Sequence, residues 1–476
     1  MFGKLSNMKI ARLYNQSYRD HVSDEKTLNT LNIIILSSAI GTLLFSASGG
    51  AAFTGYASAL GAKEFAFGLI SALPVLASIL QLWVSYLIEK TGKNKRMFLI
   101  GGIIQRISWI VIAFIPYFFS LETSRVWSLI TLVTLASMCG SFVSVTHMTL
   151  LSTIIPIELR GRYLTNRQRV STVFSLIAGF YLAYVLDTLP GFTGYTVVFT
   201  IGGLAGLAEI LMYSKVEFPT RPKGSSDVSF SKTLKECFTV PKTRNFLLFW
   251  IFWNFACNIG GPFFGKYSLD VLNLSFMSII IFGQITSSVM TMLIVPKWGQ
   301  FIDRYGSKPL LILITAMSTL NILVWFTARP GSALAWFLFN LIGGLCWSGI
   351  DTCTVNMQFT HTPERGRPVA IAVYAVVNSI AQGSALILGG ALLSFFSPIM
   401  QRLDLTFLGT SFDHYKLIFG ISFVLRVIAY IVFLPGVEND RELTLKQTYS
   451  AIFDNFKFKV RYVFAHLKLR FRKSSR

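Results

Sequence analysis

The chain has 476 residues, of which 53% are hydrophobic and only 14% are charged. Soluble domains carry about 25% charged residues, so this composition excludes an ordinary soluble protein and indicates an integral membrane protein. The formal net charge of +21 does not indicate nucleic-acid binding, because the basic residues lie in short loops and tails between apolar runs. The 5 cysteines lack the spacing of a disulfide or metal site, and we expect neither a metal nor a cofactor.

Apolar runs long enough to cross a bilayer, which takes roughly 20 residues, recur along the whole chain. They lie near 30–54, 65–88, 97–119, 127–155, 166–188, 195–214, 243–267, 276–297, 308–327, 332–358, 368–395 and 414–435. These runs predict an all-α membrane protein with twelve transmembrane helices in two six-helix bundles. The predicted units are an N-terminal segment 1–29, a first bundle 30–214, a linker 215–242, a second bundle 243–436 and a tail 437–476.

The distribution of basic residues predicts which side of the membrane each loop faces. With a cytoplasmic N-terminus, the inside loops carry Lys93, Lys95, Arg96, Arg160, Arg162, Lys215, Arg221, Lys223, Lys235, Lys242, Arg304, Lys308, Arg365 and Arg367. The outside loops carry Lys63, Arg125, Lys266, Arg329, Arg402 and Lys416. This bias places both termini in the cytoplasm, and we expect the protein in the plasma membrane as a monomer.

Three short patterns recur in the same order in the two halves of the chain. Gly49-Gly50 is matched by Gly260-Gly261 at an offset of 211 (260 − 49), and 158–162 is matched by 364–367 at an offset of 205 (366 − 161). The loop 85–96 is matched by 298–309 at an offset of 214 (303 − 89). Three patterns in register on matching spans indicate an internal repeat.

The second of the two loops has a distinctive order of glycine, acid and base. Gly299 is followed four residues later by Asp303-Arg304, and then by Gly306 and Lys308. This order resembles the loop signature of the major facilitator superfamily of secondary transporters. The first loop departs from it, with Ser85, Glu89, Lys90 and Gly92 in the corresponding positions. The resemblance covers roughly residues 30–436, and it implies two bundles that rock about a central substrate site.

The resemblance also implies that the two loops form a cytoplasmic gate. Each loop is expected to brace against the start of a helix in the other half. Glu89 would then face Arg365 and Arg367, and Asp303 would face Arg160, Arg162 and Arg167. These contacts would close the cytoplasmic side, and opening toward the cytoplasm would break them. The alternative is that the loop charges only set the orientation of the chain.

Ionisable residues inside spans are functional candidates, because burying one costs roughly 2.5–3.5 kcal/mol on insertion scales. Asp351 is either a proton-coupling carboxylate or a structural carboxylate paired with a base. Arg106 either has a function, as an anchor for an anionic substrate or as the partner of a carboxylate, or belongs to a structural pair. His147 either titrates near neutral pH or packs between helices. Glu209 and Arg426, in spans six and twelve, are interpreted as structural.

Uncharged polar and aromatic residues in spans that line the central path of the family are further candidates for substrate binding. They are Trp253, Asn254, Asn258, Trp347, Tyr374, Asn378 and Gln382. The alternative is that Asn and Gln join helices by hydrogen bonds and that the aromatic residues face lipid.

We therefore predict a secondary active transporter of a small molecule, coupled to protons, and not an enzyme. The alternatives are an efflux pump for amphipathic compounds, a flippase for a lipid-linked substrate, or a membrane sensor that does not transport. ATP-driven transport is disfavoured because the chain has no Walker loop. The tail alternates basic and apolar residues, which predicts either a helix lying on anionic lipid or a disordered basic tail.

Overall fold

The computed structural model describes residues 25–155, 157–218, 230–362, 367–407 and 409–440. The helices of the N-terminal half are α1 (Glu25–Ser48), α2 (Gly50–Ala59), α3 (Glu64–Ala77), α4 (Leu80–Thr91), α5 (Asn94–Ala113), α6 (Ile115–Phe118), α7 (Glu122–Ile154), α8 (Ile157–Thr188) and α9 (Phe192–Met212). Those of the C-terminal half are α10 (Phe230–Thr239), α11 (Pro241–Asn258), α12 (Phe263–Asp270), α13 (Phe276–Ile279), α14 (Thr286–Tyr305), α15 (Ser307–Leu320), α16 (Leu334–Thr360), α17 (Arg367–Leu403) and α18 (His414–Ile428). Strands β1 (Thr406–Phe407) and β2 (Thr410–Ser411) pair antiparallel in a short outer loop.

The described residues contain 12 helical segments that are long and apolar enough to cross a membrane. We number them spans 1 to 12, and they fall in the order that hydropathy predicts. Span 1 combines α1 with α2, span 2 combines α3 with α4, and spans 3 to 6 are α5, α7, α8 and α9. Span 7 combines α11 with α12, span 8 combines α13 with α14, and spans 9 to 12 are α15 to α18. The predicted all-α architecture is confirmed.

The repeated Gly-Gly pairs interrupt corresponding spans of the two halves. In span 1, α1 ends at Ser48 and α2 begins at Gly50, whose φ of 59° is a conformation that favours glycine. In span 7, α11 ends at Asn258 and α12 begins at Phe263, so the pair Gly260-Gly261 lies in the break. The internal repeat seen in the sequence therefore corresponds to a structural repeat.

We call the end of the bundle that holds Glu25, Gly92 and Asp440 the inner end, following the orientation that the basic loops predict. The opposite end is the outer end. Buried apolar side chains form one core at the outer end that contains residues of both halves, such as Tyr56 and Phe263. At the inner end each half has its own core. The two halves therefore pack together at the outer end and separate toward the inner end.

Hydrogen bonds between the halves follow the same distribution. At the outer end, the Asp187 carboxylate accepts hydrogen bonds from the backbone N–H groups of Phe276 and Met277, both at 2.9 Å, at the start of span 8. Among the described residues, the innermost bond between the halves joins the hydroxyls of Ser78 and Ser379 at 2.9 Å. Ser78 lies 14 residues into span 2, about 21 Å from its outer end. The cleft between the halves is therefore open toward the inner end.

Lys266 and Asp270 of span 7 add an ion pair to the outer closure. The Lys266 ammonium lies 2.6 Å from the Asp270 carboxylate and donates to the Ser58 hydroxyl of span 1 at 2.9 Å. Nearby, His414 lies 3.7 Å from Glu64, which is an ion-pair distance and too long for a hydrogen bond. These contacts and Asp187 connect spans 1, 2 and 5 with spans 7, 8 and 12.

Candidate functional site

The cleft contains a polar chamber of about 590 Å³. Most of its wall comes from spans 1, 3, 5 and 6 of the N-terminal half, and span 8 contributes the rest. Its polar lining consists of Ser38, Thr42, Ser48, Gln105, Arg106, Arg167, Gln168, Ser171, Thr172, Ser175, Glu209, Gln284 and Ser288. A polar lining of this kind, inside twelve apolar spans, is suited to a hydrophilic ligand.

A buried ion pair forms one wall of the polar chamber. The Arg106 guanidinium of span 3 donates to the Glu209 carboxylate of span 6 at 2.9 Å, and it also donates to the Gln105 amide. The Arg106 side chain is 7% exposed and that of Glu209 is 19% exposed. Glu209 fits here because Gly41 has no side chain: a Cβ on Gly41 would lie 2.5 Å from the Glu209 Cδ. Arg106 is therefore paired with a carboxylate, and whether that pair is functional or structural stays a prediction.

A second arginine reaches the polar chamber from span 5. Nε of Arg167 donates to the Ser38 hydroxyl of span 1 at 2.7 Å. Ser38 is buried, and Arg167 is half-buried five residues from the start of the span. With two arginines and one glutamate in its wall, the chamber has an excess positive charge.

A second chamber of about 640 Å³ adjoins the first and lies closer to the outer end. Its wall is mainly apolar and comes from both halves. The apolar lining includes Phe53, Phe67, Ile70, Leu182, Ala183, Leu186, Phe276, Ile279 and Ile280. Phe45, Ser175 and Gln284 line both chambers, so the two spaces meet at these three side chains. We call them the polar chamber and the apolar chamber.

Gln284 is the point where span 8 enters the site. It lies in a π-helical stretch, Ile280–Ile285, between α13 and α14. Insertions of this kind in an α-helix occur frequently at functional sites because they redirect side chains. The Gln284 amide lies 3.3 Å from the Ser175 hydroxyl of span 5. A side chain of the C-terminal half therefore crosses the cleft at the junction of the chambers.

The three ionisable residues singled out in the sequence lie in different surroundings. Arg106 lines the polar chamber, as described. His147 is 3.0 Å from the Tyr213 hydroxyl and stacks on Phe98, so it packs between spans 3, 4 and 6. Asp351 is exposed on span 10 and has the same helical phase as Asn340, which lines the apolar chamber. Asp351 lies eleven residues after Asn340, which places it about 16 Å closer to the inner end and rotates its direction around the helix axis by only about 20°.

Several predicted lining residues form contacts within the C-terminal half. The Asn254 side chain donates to the Trp250 carbonyl and accepts from Gln382 at 3.0 Å, which joins span 7 to span 11. Asn258 donates to the Asn254 carbonyl at 2.8 Å. Trp253 is fully buried, and the Tyr374 hydroxyl donates to the Thr243 carbonyl. Two predicted residues remain: Asn378 is half-buried in span 11, and Trp347 is exposed at 36% on span 10.

The predicted gate residues lie at the inner end, where the cleft is open. Asp303, Arg304 and Arg162 are exposed, and no ion pair connects Asp303 to another described residue. The two loops end their helices with glycines at positive φ, Gly92 with φ 65° and Gly306 with φ 86°. Of the other gate residues, Lys90 is exposed, and Gly299 has open space around it. Arg365 and the side chains of Glu89, Arg160 and Arg367 lie outside the described residues, so the gate contacts stay a prediction.

The sequence does not mark Glu209, Arg167 and Gln284 as substrate-binding candidates. Its pattern favours a structural role for Glu209 and a gate role for Arg167, and Gln284 is one of many amides in the spans. The signal that would have located the chamber is the polar face of span 5. A helical projection of this span places Gln168, Ser171 and Ser175 on that face. Among the described residues, no cluster of three His, Cys, Asp or Glu side chains could hold a metal ion.

Comparison with known proteins connects this architecture to a family. A family model described as Major Facilitator Superfamily matches residues 34–297 and 285–466. No curated protein matches the chain in sequence. Among solved structures, the nucleoside transporter NupG is 14% identical with a TM-score of 0.62, and the match covers 86% of this chain and 99% of that one. The D-xylose-proton symporter is 15% identical with a TM-score of 0.62, over 87% and 99%.

A third similar structure is the inward-facing, unoccupied form of a bacterial homologue of the human lysosomal transporter Spinster. It is 13% identical with a TM-score of 0.62, and the match covers 87% of this chain and 98% of that one. At these identities the structures share the fold alone. The family match spans most of the twelve helices, so this chain is a multi-pass membrane protein that belongs to the Major Facilitator Superfamily.

Proposed function

We propose that this chain is a secondary active transporter that carries a small molecule by alternating access and is driven by protons. The observation that carries the proposal is the Arg106–Glu209 pair in the wall of a polar chamber. The outer end is closed by contacts between the halves, and the cleft is open at the inner end. A ligand in the chamber therefore has access from one side, as alternating access requires.

The charge balance of the Arg106–Glu209 pair supports proton coupling. Removing one partner of a buried ion pair costs about 3–5 kcal/mol because the other charge is left unpaired. Protonation of Glu209 would leave the Arg106 cation free to attract an electronegative group of the substrate. Conversely, a substrate that binds Arg106 would favour protonation of Glu209. Proton binding and substrate binding at this site would therefore support each other.

Asp351 remains a second candidate for the coupling carboxylate. It is exposed on the inner half of span 10, in helical phase with the chamber-lining Asn340. His147 is less suited to this role because its ring is fixed against Tyr213 and Phe98. The coupling is therefore assigned first to Glu209 and then to Asp351.

The test starts with a thermal-stability screen of sugars, organic acids, peptides and drugs on the purified protein, because a bound ligand raises the folded-state stability. The best stabiliser is then radiolabelled and measured in proteoliposomes with and without a proton gradient. Glu209→Gln should abolish gradient-driven accumulation while counterflow exchange continues, and Asp351→Asn is the matched comparison. Accumulation that persists in Glu209→Gln would refute coupling at this pair. Binding without any flux in the natural sequence would favour the sensor alternative.

A second function, efflux of amphipathic compounds, is supported by the apolar chamber. Its aromatic and aliphatic wall adjoins the polar chamber, so one ligand could contact both. Transport in inside-out vesicles distinguishes efflux from uptake. The basic tail 441–476 lies outside the described residues, and its binding to anionic lipid, the plasma-membrane location, the cytoplasmic termini and the monomeric state stay predictions.

A further inference from the structure

One face of span 5 changes from polar to apolar along its length. Gln168, Ser171, Thr172 and Ser175 follow one another at helical spacing and line the polar chamber. The same face continues with Gly179, Leu182, Ala183 and Leu186, which line the apolar chamber. The polar part is about 10 Å long and the apolar part is also about 10 Å long at 1.5 Å per residue. A single ligand lying along this face would contact polar side chains at one end and apolar side chains at the other.

The polar end of this face also holds a second cation, the Arg167 guanidinium. Arg106 is neutralised by Glu209, but Arg167 has no carboxylate within 4.0 Å among the residues that the structure describes. Its partner is the Ser38 hydroxyl, which satisfies one N–H group and no charge. Arg167 is half-buried in the wall of the polar chamber, where a counter-charge would stabilise its cation. An anionic ligand group in the polar chamber would supply it.

We propose that the ligand is an amphiphilic organic anion, with its acidic head at Arg167 in the polar chamber and its apolar body in the apolar chamber. This assignment rests on the proposed function for its role as a transport substrate. The Ser171 hydroxyl and the terminal N–H groups of Arg167 are donors suited to the oxygens of a carboxylate, sulfonate or phosphate, whereas the Ser38 and Thr172 hydroxyls already donate to backbone carbonyls. Gln284, which lines both chambers, lies where head and body join.

Pyrenebutyrate is a suitable probe because it joins a carboxylate to a large apolar ring system by a short chain. Its neutral counterpart is pyrenebutanol, and butyrate represents the head alone. Binding is measured on the full chain in lipid nanodiscs by energy transfer from tryptophan to pyrene, since Trp109 and Trp336 line the two chambers. Empty nanodiscs give the contribution of lipid partitioning, and butyrate is measured by competition.

The acid is expected to bind about tenfold or more tightly than the alcohol, the range for a hydrogen bond to a charged group. Arg167→Gln should remove this preference, and Arg167→Lys should retain part of it. The matched control is Arg169→Gln, which changes an exposed arginine on another face of the same helix. Ile280→Asn should weaken pyrenebutyrate but not butyrate, because Ile280 lines the apolar chamber.

Equal affinity for acid and alcohol would overturn the assignment, and so would an equal effect of Arg167→Gln and Arg169→Gln. The variants must retain the thermal stability of the natural sequence, and Arg167→Lys gives a second measurement if Arg167→Gln is unstable. A failure of the proposed function can be distinguished from a failure of this ligand assignment. Tight, Arg167-dependent binding without flux in proteoliposomes would leave the ligand class standing and contradict transport.

Discussion

Replacing Gly306 by alanine should destabilise the protein, whereas the same change at Gly299 should not. Gly306 joins spans 8 and 9 with φ 86° and ψ 172°, a region that is essentially restricted to glycine and costs other residues about 1–3 kcal/mol. An added Cβ would also lie 2.5 Å from the Asn439 Oδ1 and 2.6 Å from the Asp440 Oδ1.

Those two side chains cannot move without loss of hydrogen bonds. The Asp440 carboxylate accepts from the backbone N–H of Ser307 at 2.6 Å and from its hydroxyl at 2.7 Å, at the start of span 9. Two hydrogen bonds are worth about 0.5–1.5 kcal/mol each, so Gly306→Ala should lower the free energy of unfolding by about 2–6 kcal/mol.

Gly299 is the matched control because it belongs to the same motif, but a Cβ added to it would have no heavy atom within 4 Å. It lies inside the helix Thr286–Tyr305, where alanine is favoured over glycine by about 0.5–1 kcal/mol. Thermal unfolding of both variants in the same detergent, followed by tryptophan fluorescence, measures the difference. Equal melting temperatures, or a larger loss in Gly299→Ala, would refute this explanation of the motif.

Three further outcomes are expected. Asp187→Asn removes a negative charge that stabilises the exposed N-terminus of span 8 by about 0.3–1 kcal/mol. The population of the outer-open state, measured by spin-label distances, should therefore rise about two- to fivefold. Asp404→Asn is the control and should leave that population unchanged. Asp303→Asn should increase labelling from the inner side of a cysteine placed at Ser171, if the predicted gate closes that side; an unchanged labelling rate contradicts the gate. Burial, and then the nearby charge of Lys242, lowers the pKa of His361 in the folded state. The neutral imidazole therefore contributes its full share of the folding stability above the pKa of about 6.5 that histidine has in the unfolded chain, and this contribution declines as the pH falls below that value. The melting temperature should therefore fall between pH 7.5 and pH 5.5, and by less in His361→Gln.

The fold could be predicted from the sequence because hydropathy acts over whole segments. Each span needs only about 20 apolar residues, and a few polar side chains do not obscure that signal. The Gly-Gly pairs at 49–50 and 260–261 are recognisable because they recur in register in the two halves, and Gly50 has a positive φ that favours glycine. The loop motif is recognisable for the same reason, since Gly306 has a backbone conformation that favours glycine.

The site is harder to predict because it depends on rotation and on pairing between distant helices. Arg106 stands out by its depth, but its partner Glu209 is 103 residues away and the sequence does not show that they meet. Gln284 points into the cleft through a local π-helical turn, and the sequence of span 8 has no clear marker of that turn. Asn254 and Gln382 pair with each other, which gives each amide a hydrogen-bond partner without a ligand.

The most direct test of the central claim measures two distances between the halves in one protein. Spin labels at Ser120 and Arg329 report the outer end, and labels at Lys93 and Gln300 report the inner end; all four positions are exposed. Measured in proteoliposomes over a range of proton gradients, the two distances should change in opposite directions, with the outer distance long when the inner one is short. Two distances that stay fixed, or that lengthen together, would contradict alternating access in this chain.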